Sequence, residues 1–192
     1  MEKILRIRMV TFIVLMHTFS LSQSTTLFLQ KQSVFTRDGY KPFFVVNPEH
    51  SFGEKFGLSS LVVMTPSWAE VLAGPTYTPK TGLTLKTLFG YEQVTQGIPL
   101  RALVGVTYFG ERWSSVSLIE YGNTGYWYLH TTLYELKSII KTGIHAQRFA
   151  GIGPRVDIPF KNFTLWNAPL YNPETKDYGY IIGASLFLQT QK

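Results

Sequence analysis

The sequence predicts an all-β chain closed into an antiparallel up-and-down barrel of about eight strands, of the type that crosses a membrane. Three observations predict it. From about residue 54 onward, short runs with period two, rich in Val, Ile, Leu, Tyr, Phe and Thr, are separated by turn residues, and helical periodicity is almost absent. Only 16% of residues are charged, well under the roughly 25% usual for soluble domains, while aromatics reach 15%. Glycines number 16 and recur inside the apolar runs.

The chain opens with MEKILRIRMVTFIVLMHTFSLSQS, a basic patch followed by an apolar stretch and small residues. That order is the pattern of a secretory signal peptide over residues 1–24, with cleavage near Ser22 to Ser24. His17 and Thr18 end the apolar run well short of the ~20 residues a spanning helix needs. Residues 25–53 follow, with TTLFLQKQSVF and KPFFVV as either two further strands or a segment packed at a barrel mouth, the mouth being the favoured placement. Residues 54–192 make the barrel domain.

Within it, strands are expected at 54–64, 68–78, 83–92, 99–111, 114–122, 126–136, 139–158 and 177–189. The connections fall at Thr65-Pro-Ser67, at 79–82 and 93–98, at Arg112-Trp113, at Asn123-Thr-Gly125 and at Lys137-Ser138. The longest excursion runs from Pro159 to Lys176. An even number of antiparallel neighbours can close and so remove unpaired sheet edges. Pro75 and Pro154 lie inside expected strands, where each deletes a ladder hydrogen bond, and are expected to mark bulges.

Sorting strand residues by parity separates their chemistry. Leu83, Leu85, Phe89 and Tyr91, with Leu100, Val104, Val106 and Tyr108, make one nearly uncharged set. Thr84, Lys86, Gly90, Glu92, Arg101, Gly105, Thr107 and Glu111 make the other. A soluble carrier would turn the second set to water, and it is too sparsely charged and too glycine-rich for that. A membrane barrel turns the apolar set to acyl chains and confines the ionic set to a lumen, with glycines making room. By the same parity Trp127, Leu129 and Leu133 should face lipid and His130 the lumen. Aromatics near strand ends, including Trp68, Tyr77, Tyr91, Tyr108, Trp113, Tyr121, Tyr126 and Tyr178, fit interfacial girdles.

The signal-like leader and the strands from about 54 to 190 resemble the small eight-stranded outer-membrane β-barrel proteins of Gram-negative bacteria. The resemblance implies an outer-membrane address, both termini and the short turns in the periplasm, and longer loops outside. It implies contact with outer-membrane lipid and lipopolysaccharide, and with the barrel-insertion machinery. YIIGASLFLQTQK resembles the assembly signal of that family in the spacing of Gly183, Leu186 and Leu188, and departs from it by ending in Gln-Thr-Gln-Lys rather than an aromatic residue.

Chemistry is sparse. With no cysteine there is neither a disulfide framework nor a thiolate metal site. The net charge of +6 includes Lys3, Arg6 and Arg8 against Glu2 in the leader, and no basic cluster suggests nucleic acid. His50, His130 and His145 stand in no catalytic motif, and His145-Ala-Gln147 lacks the serine of the His-x-Ser pattern of lipid A deacylases. No enzyme, cofactor or metal site is expected. The lumen candidates Glu70, Lys86, Arg101, Glu111, Glu120, His130, Lys141 and His145 are expected to pair as a polar network filling a narrow interior. The expectation is a monomeric, non-enzymatic barrel displaying residues 159–176 for binding to an unknown surface ligand or for a structural role. The alternatives are an exported soluble lipocalin-like carrier holding an apolar ligand among Leu83, Leu85, Val104 and Val106, and, lower, a lipid-modifying barrel enzyme using His130 and His145.

Overall fold

The computed structural model describes residues 24–191, so the expected signal peptide lies outside the described residues apart from Ser24. Twelve strands form one closed barrel in which each strand pairs antiparallel with its sequence neighbours and β1 closes on β12. They are β1 (Ser24–Thr36), β2 (Gly39–Ser51), β3 (Phe56–Met64), β4 (Ala69–Lys80), β5 (Leu83–Glu92) and β6 (Leu100–Phe109). The second half comprises β7 (Trp113–Gly122), β8 (Gly125–Lys137), β9 (Ile140–Gln147), β10 (Gly151–Phe160), β11 (Phe163–Asn172) and β12 (Asp177–Gln191). Closure leaves no edge, because Ser24 to Phe35 pair continuously with Gln191 to Tyr180.

The count is therefore twelve rather than about eight, and three stretches account for the difference. Residues 25–53 form β1 and β2, with the reversal at Arg37-Asp38 eased by the positive φ of Gly39. The run 139–158 is a hairpin, β9 and β10, whose turn Arg148-Phe149-Ala150 contains no glycine, proline or asparagine to announce it. Phe149 itself takes φ 70°, and Ala150 N donates to Gln147 O at 3.1 Å. The expected outer loop 159–176 is mostly β11, reached by a tight Lys161-Asn162 turn in which Lys161 has φ 49°. No long loop remains among the described residues; the longest connection is 93–99.

Pro75 and Pro154 do not mark bulges. Pro75 pairs with Leu58 and Pro154 with Ile144, so each ladder is intact on one side. On the other side the register resumes unshifted, from Ala73↔Phe89 to Thr76↔Lys86 and from Ile152↔Tyr171 to Val156↔Asn167. The register shifts fall elsewhere, between Tyr77 and Lys80 and between Glu135 and Lys137, at the rim that carries both described chain ends.

The outer wall is apolar: Leu85, Phe89, Val104, Val106, Ile119, Ile144 and Ile182 are all exposed. At the chain-end rim it carries the ring pairs Phe56–Tyr77, Trp113–Tyr134 and Phe160–Phe163. At the opposite rim it carries Phe35–Tyr40 and Tyr171–Tyr178, with Tyr91, Tyr121 and Tyr126. Trp68 and Trp127, counted by sequence among the girdle residues, instead line the interior.

Candidate functional site

The interior of the barrel is the candidate site. A single cavity of about 1370 Å³ is lined by residues of all twelve strands and by both rims, from Ser114, Pro159 and Phe187 at the chain-end side to Trp68, Thr124 and Phe149 at the other. The sequence-based expectation of an interior filled by its own side chains is corrected by the strand count. Eight strands leave room for side chains alone, and each added strand widens the circumference.

Near the rim opposite the chain ends, β4 to β7 converge on one guanidinium. Arg101 Nε donates to Glu120 Oε2 at 2.8 Å and lies 2.9 Å from Glu70 Oε2. Its Nη1 donates to Glu92 Oε2 at 3.0 Å and to Thr124 Oγ1 at 2.9 Å. Thr124 closes the group, its hydroxyl donating to Glu92 Oε2 and its backbone N–H to Glu92 Oε1. All four charged side chains are buried. A Cβ on Gly122 would collide with Glu92 Oε1 and crowd Arg101 Cγ, so the small residue there makes room for the cluster. Below it runs an apolar belt of Leu61, Leu72, Leu88 and Leu103, with Val45, Val63 and Leu118 against it.

On the other wall, the polar groups are threaded from β1 through β12 to β8. Gln32 Nε2 donates to Gln30 Oε1 at 2.7 Å, and Gln30 Nε2 and Trp166 Nε1 both donate to Ser185 Oγ, at 3.0 and 3.2 Å. Arg155 holds Asp157 with two hydrogen bonds of 2.6 and 2.9 Å while its guanidinium sits 3.8 Å from the Trp166 ring. His145 also lies against that ring system, 5.7 Å between centroids, with Nδ1 2.7 Å from Thr131 Oγ1. Gly183 admits the Trp166 indole, whose ring atoms a Cβ would overlap.

Six of the eight residues singled out by sequence thus point inward: Glu70, Lys86, Arg101, Glu120, Lys141 and His145. They do not make one network. Lys86 pairs with Glu49 at 3.3 Å and Lys141 with Glu135 at 3.4 Å, both in the chain-end half, away from the Arg101 cluster. Glu111 is exposed in the β6–β7 turn. His130 is on the outer face, correcting its lumen placement: it pairs across the strands with Ser117, whereas Thr131 and Leu133 face inward and are buried. Trp127, Leu129 and Leu133 correspondingly line the lumen and not the outer wall. Parity misleads in β8 because neither of its faces carries a cluster of charge to orient it. Leu83, Leu85, Val104 and Val106 lie on the outside-facing parity, so they enclose no ligand.

Sequence reasoning missed Glu49, Arg148, Arg155 and Asp157, which sat in segments whose strands were fused or left unassigned; Glu92 it placed by parity in the lumen set, though not among the residues of the network. Arg148 stacks on Tyr126 at 3.6 Å and on Phe149 at 4.5 Å at the mouth of the cavity. Its Nε and Nη1 are buried without a hydrogen-bond partner.

These features define a closed, antiparallel, twelve-stranded barrel around a lumen that reaches both rims. Neither a family model nor a curated protein matches the chain. Among solved structures it is similar to one described as KdgM porin, with a TM-score of 0.57 and 15% identity over 83% of this chain and 98% of that one. It is also similar to KdgM porin in complex with disordered oligogalacturonate, with a TM-score of 0.57 and 16% identity over 84% and 98%. A third likeness is to NanC porin, with a TM-score of 0.50 and 9% identity over 82% and 98%. At these identities the likeness is one of fold.

Proposed function

We propose that this chain is an outer-membrane channel that passes small polar solutes through its lumen. The observation that carries the reading is the cavity of about 1370 Å³ lined by every strand and by both rims. The apolar outer wall and its two rings of aromatic pairs favour a bilayer as the surrounding medium, since amphipathic rings settle at headgroup level and aliphatic faces at acyl level. The printed names of the structures it resembles, KdgM porin and NanC porin, point the same way. Export with loss of a leader near Ser22 to Ser24, passage through the insertion machinery, contact with lipopolysaccharide and a monomeric state belong to this proposal.

The lumen favours weak ionic discrimination. Lys86, Arg101, Lys141 and Arg155 each face a carboxylate, so the wall offers alternating local dipoles and not a field of one sign. A solute with many hydroxyls can exchange hydrogen bonds with Gln30, Gln32 and Ser185 along its path. Display of a long outer loop, the other role the sequence suggested, has no long loop to carry it among the described residues.

The test is reconstitution of the detergent-extracted protein into planar bilayers and into liposomes. Discrete, ohmic conductance steps and swelling of liposomes in small sugars are the expected results. Folded protein, heat-modifiable in gel mobility, that leaves membranes sealed would overturn the channel.

A further inference from the structure

The apolar outer wall carries scattered polar side chains in mid-strand, among them Lys31 over the Phe44 ring and Asn167 on β11, and at one place four of them join by hydrogen bonds. Ser115 and Ser117 on β7 and His130 and Thr132 on β8 share the outward face, as two cross-strand pairs, Ser115↔Thr132 and Ser117↔His130. They are flanked by outward Val106 and Tyr108 on β6 and Ile144 on β9, with the Trp113–Tyr134 ring pair two residues away toward the chain-end rim and Ile119 on the other side. Three hydrogen bonds run through them: Ser117 Oγ to His130 Nδ1 at 2.8 Å, His130 Nε2 to Thr132 Oγ1 at 3.0 Å, and Thr132 Oγ1 to Ser115 Oγ at 3.0 Å. Each of the four side chains is half-buried, so the group stays accessible from outside the barrel.

Hydroxyls and an imidazole facing hydrocarbon are costly, and an ionisable side chain at membrane depth marks function by default. Their order also matters. A serine hydroxyl donating to one imidazole nitrogen while the opposite N–H is held by a third group is the arrangement that activates a nucleophile, and the third group can be neutral. In the Nε2–H tautomer Thr132 Oγ1 accepts the Nε2–H and turns its own hydrogen to Ser115, which leaves Nδ1 to accept from Ser117. We propose that Ser117 and His130 form a hydrolase site for ester-linked acyl lipids, opening on the membrane, with Thr132 as its positioning residue. The placement in a bilayer rests on the reading given under Proposed function; the chemistry rests on the hydrogen-bonded chain.

A lipid ester in the acyl layer reaches the site directly from that side. His130 Nδ1 takes the Ser117 proton as Oγ attacks the ester carbonyl. The bond between the carbonyl carbon and the alkoxy oxygen breaks, and the imidazolium returns the proton to that oxygen, releasing a lysolipid. Water then gives a proton to His130 Nδ1 as its oxygen adds to the acyl carbonyl. The bond from that carbon to Ser117 Oγ breaks, and the imidazolium returns the proton to Oγ, releasing a fatty acid and the free serine.

The assay is fatty-acid release from vesicles of phosphatidylethanolamine and phosphatidylglycerol carrying the full-length barrel. Ser117→Ala and His130→Gln should each lower release by about 10²-fold or more, with heat-modifiable mobility and conductance unchanged. A fluorophosphonate should label the wild type and not Ser117→Ala. Thr132→Val should slow release about tenfold, and Thr132→Ser should restore it, because only a hydroxyl can receive the imidazole N–H. Ser33→Ala, which removes an outer-face hydroxyl 3.5 Å from that of Tyr40, should change nothing. Folded, conducting protein that releases no fatty acid would overturn the hydrolase and leave the channel standing. Release without conductance would do the reverse. Protein extracted by salt without detergent would remove the bilayer from under both.

Discussion

Two four-residue polar groups occupy opposite faces of the wall at different heights, and β7 contributes to both. Inside, Glu120 joins Glu70, Glu92 and Arg101 in a cluster of three carboxyl groups around one guanidinium. Outside, Ser115 and Ser117 join His130 and Thr132 in a chain of groups without fixed charge. The wall between them is one sheet thick. The difference teaches how β7 sorts its polar groups: Glu120 faces inward, where Arg101 from β6 meets it, and the outward positions keep groups that can satisfy one another in pairs. Arg101 is irreplaceable as a hub because its planar guanidinium presents several donors at once, to carboxylates on β4, β5 and β7.

The largest expected effect comes from breaking the inner group. Arg101→Leu leaves three carboxylates facing each other without a cation, and removing one partner of a buried ionic group typically costs about 3–5 kcal/mol. The variant should lose heat-modifiable mobility at lower temperature or unfold at clearly lower urea than the wild type. An unchanged midpoint would mean that water already screens the carboxylates and that the rim does not depend on Arg101. Next comes Gly183→Ala, which forces the Trp166 indole out of its seat and through it disturbs the bonds to Ser185 and the stack on Arg155. Overpacking of this kind costs about 1–3 kcal/mol, and the indole fluorescence should shift as the ring moves. An unshifted spectrum at wild-type stability would show that the lumen has slack the structure lacks.

A third change reads on conduction. Lys86 and Glu49 span the lumen from β5 to β2 in the chain-end half. Lys86→Met removes the cation and leaves Glu49 facing the solute path, so cation selectivity should rise. In a bilayer under a potassium chloride gradient, the reversal potential should move toward that of potassium. No movement would mean that ions pass the pair without sensing it.

Legibility in the sequence followed the same division between faces. In β5 and β6 one parity is apolar and the other carries Lys86, Glu92 and Arg101, so the charged set could be turned inward with the structure agreeing. In β8 the two parities are Trp127, Leu129, Thr131, Leu133 and Tyr128, His130, Thr132, Tyr134, each mixing apolar bulk with hydroxyls. The one charge on either set, Glu135 on the parity of Trp127, marks the inward face where it meets Lys141, and pairing to β7, where Glu120 sits opposite Trp127, fixes the same face. The strand count failed for a different reason. The reversal at Arg148-Phe149-Ala150 is made by a phenylalanine at positive φ, its glycine, Gly151 at φ 113°, coming only after the turn at the head of β10, and β11 carries Pro169 and closes with Asn172 before another proline. Barrel class depends on alternation and composition, which are local. Strand number depends on every turn being recognised.

The smallest expected effect lies at the far end of the outer group. Ser115 touches the chain only through Thr132, at 3.0 Å, and pairs with Tyr108 on its other side. Ser115→Ala deletes one neutral hydrogen bond, a loss of about 0.5–1.5 kcal/mol, and adds a methyl that a bilayer accepts more readily than a hydroxyl. The two terms oppose each other, so the urea midpoint should stay close to that of the wild type. In the Nε2–H tautomer Thr132 keeps its bond from His130, since that bond uses the hydroxyl oxygen and not its hydrogen. The same substitution in the inner group, at any of its carboxylates, changes a charge and has no such offset. If Ser115→Ala destabilises the barrel as strongly as Arg101→Leu, the outward hydroxyls are holding β7 to β8 as a structural clasp, and the contrast between the two faces of the wall disappears.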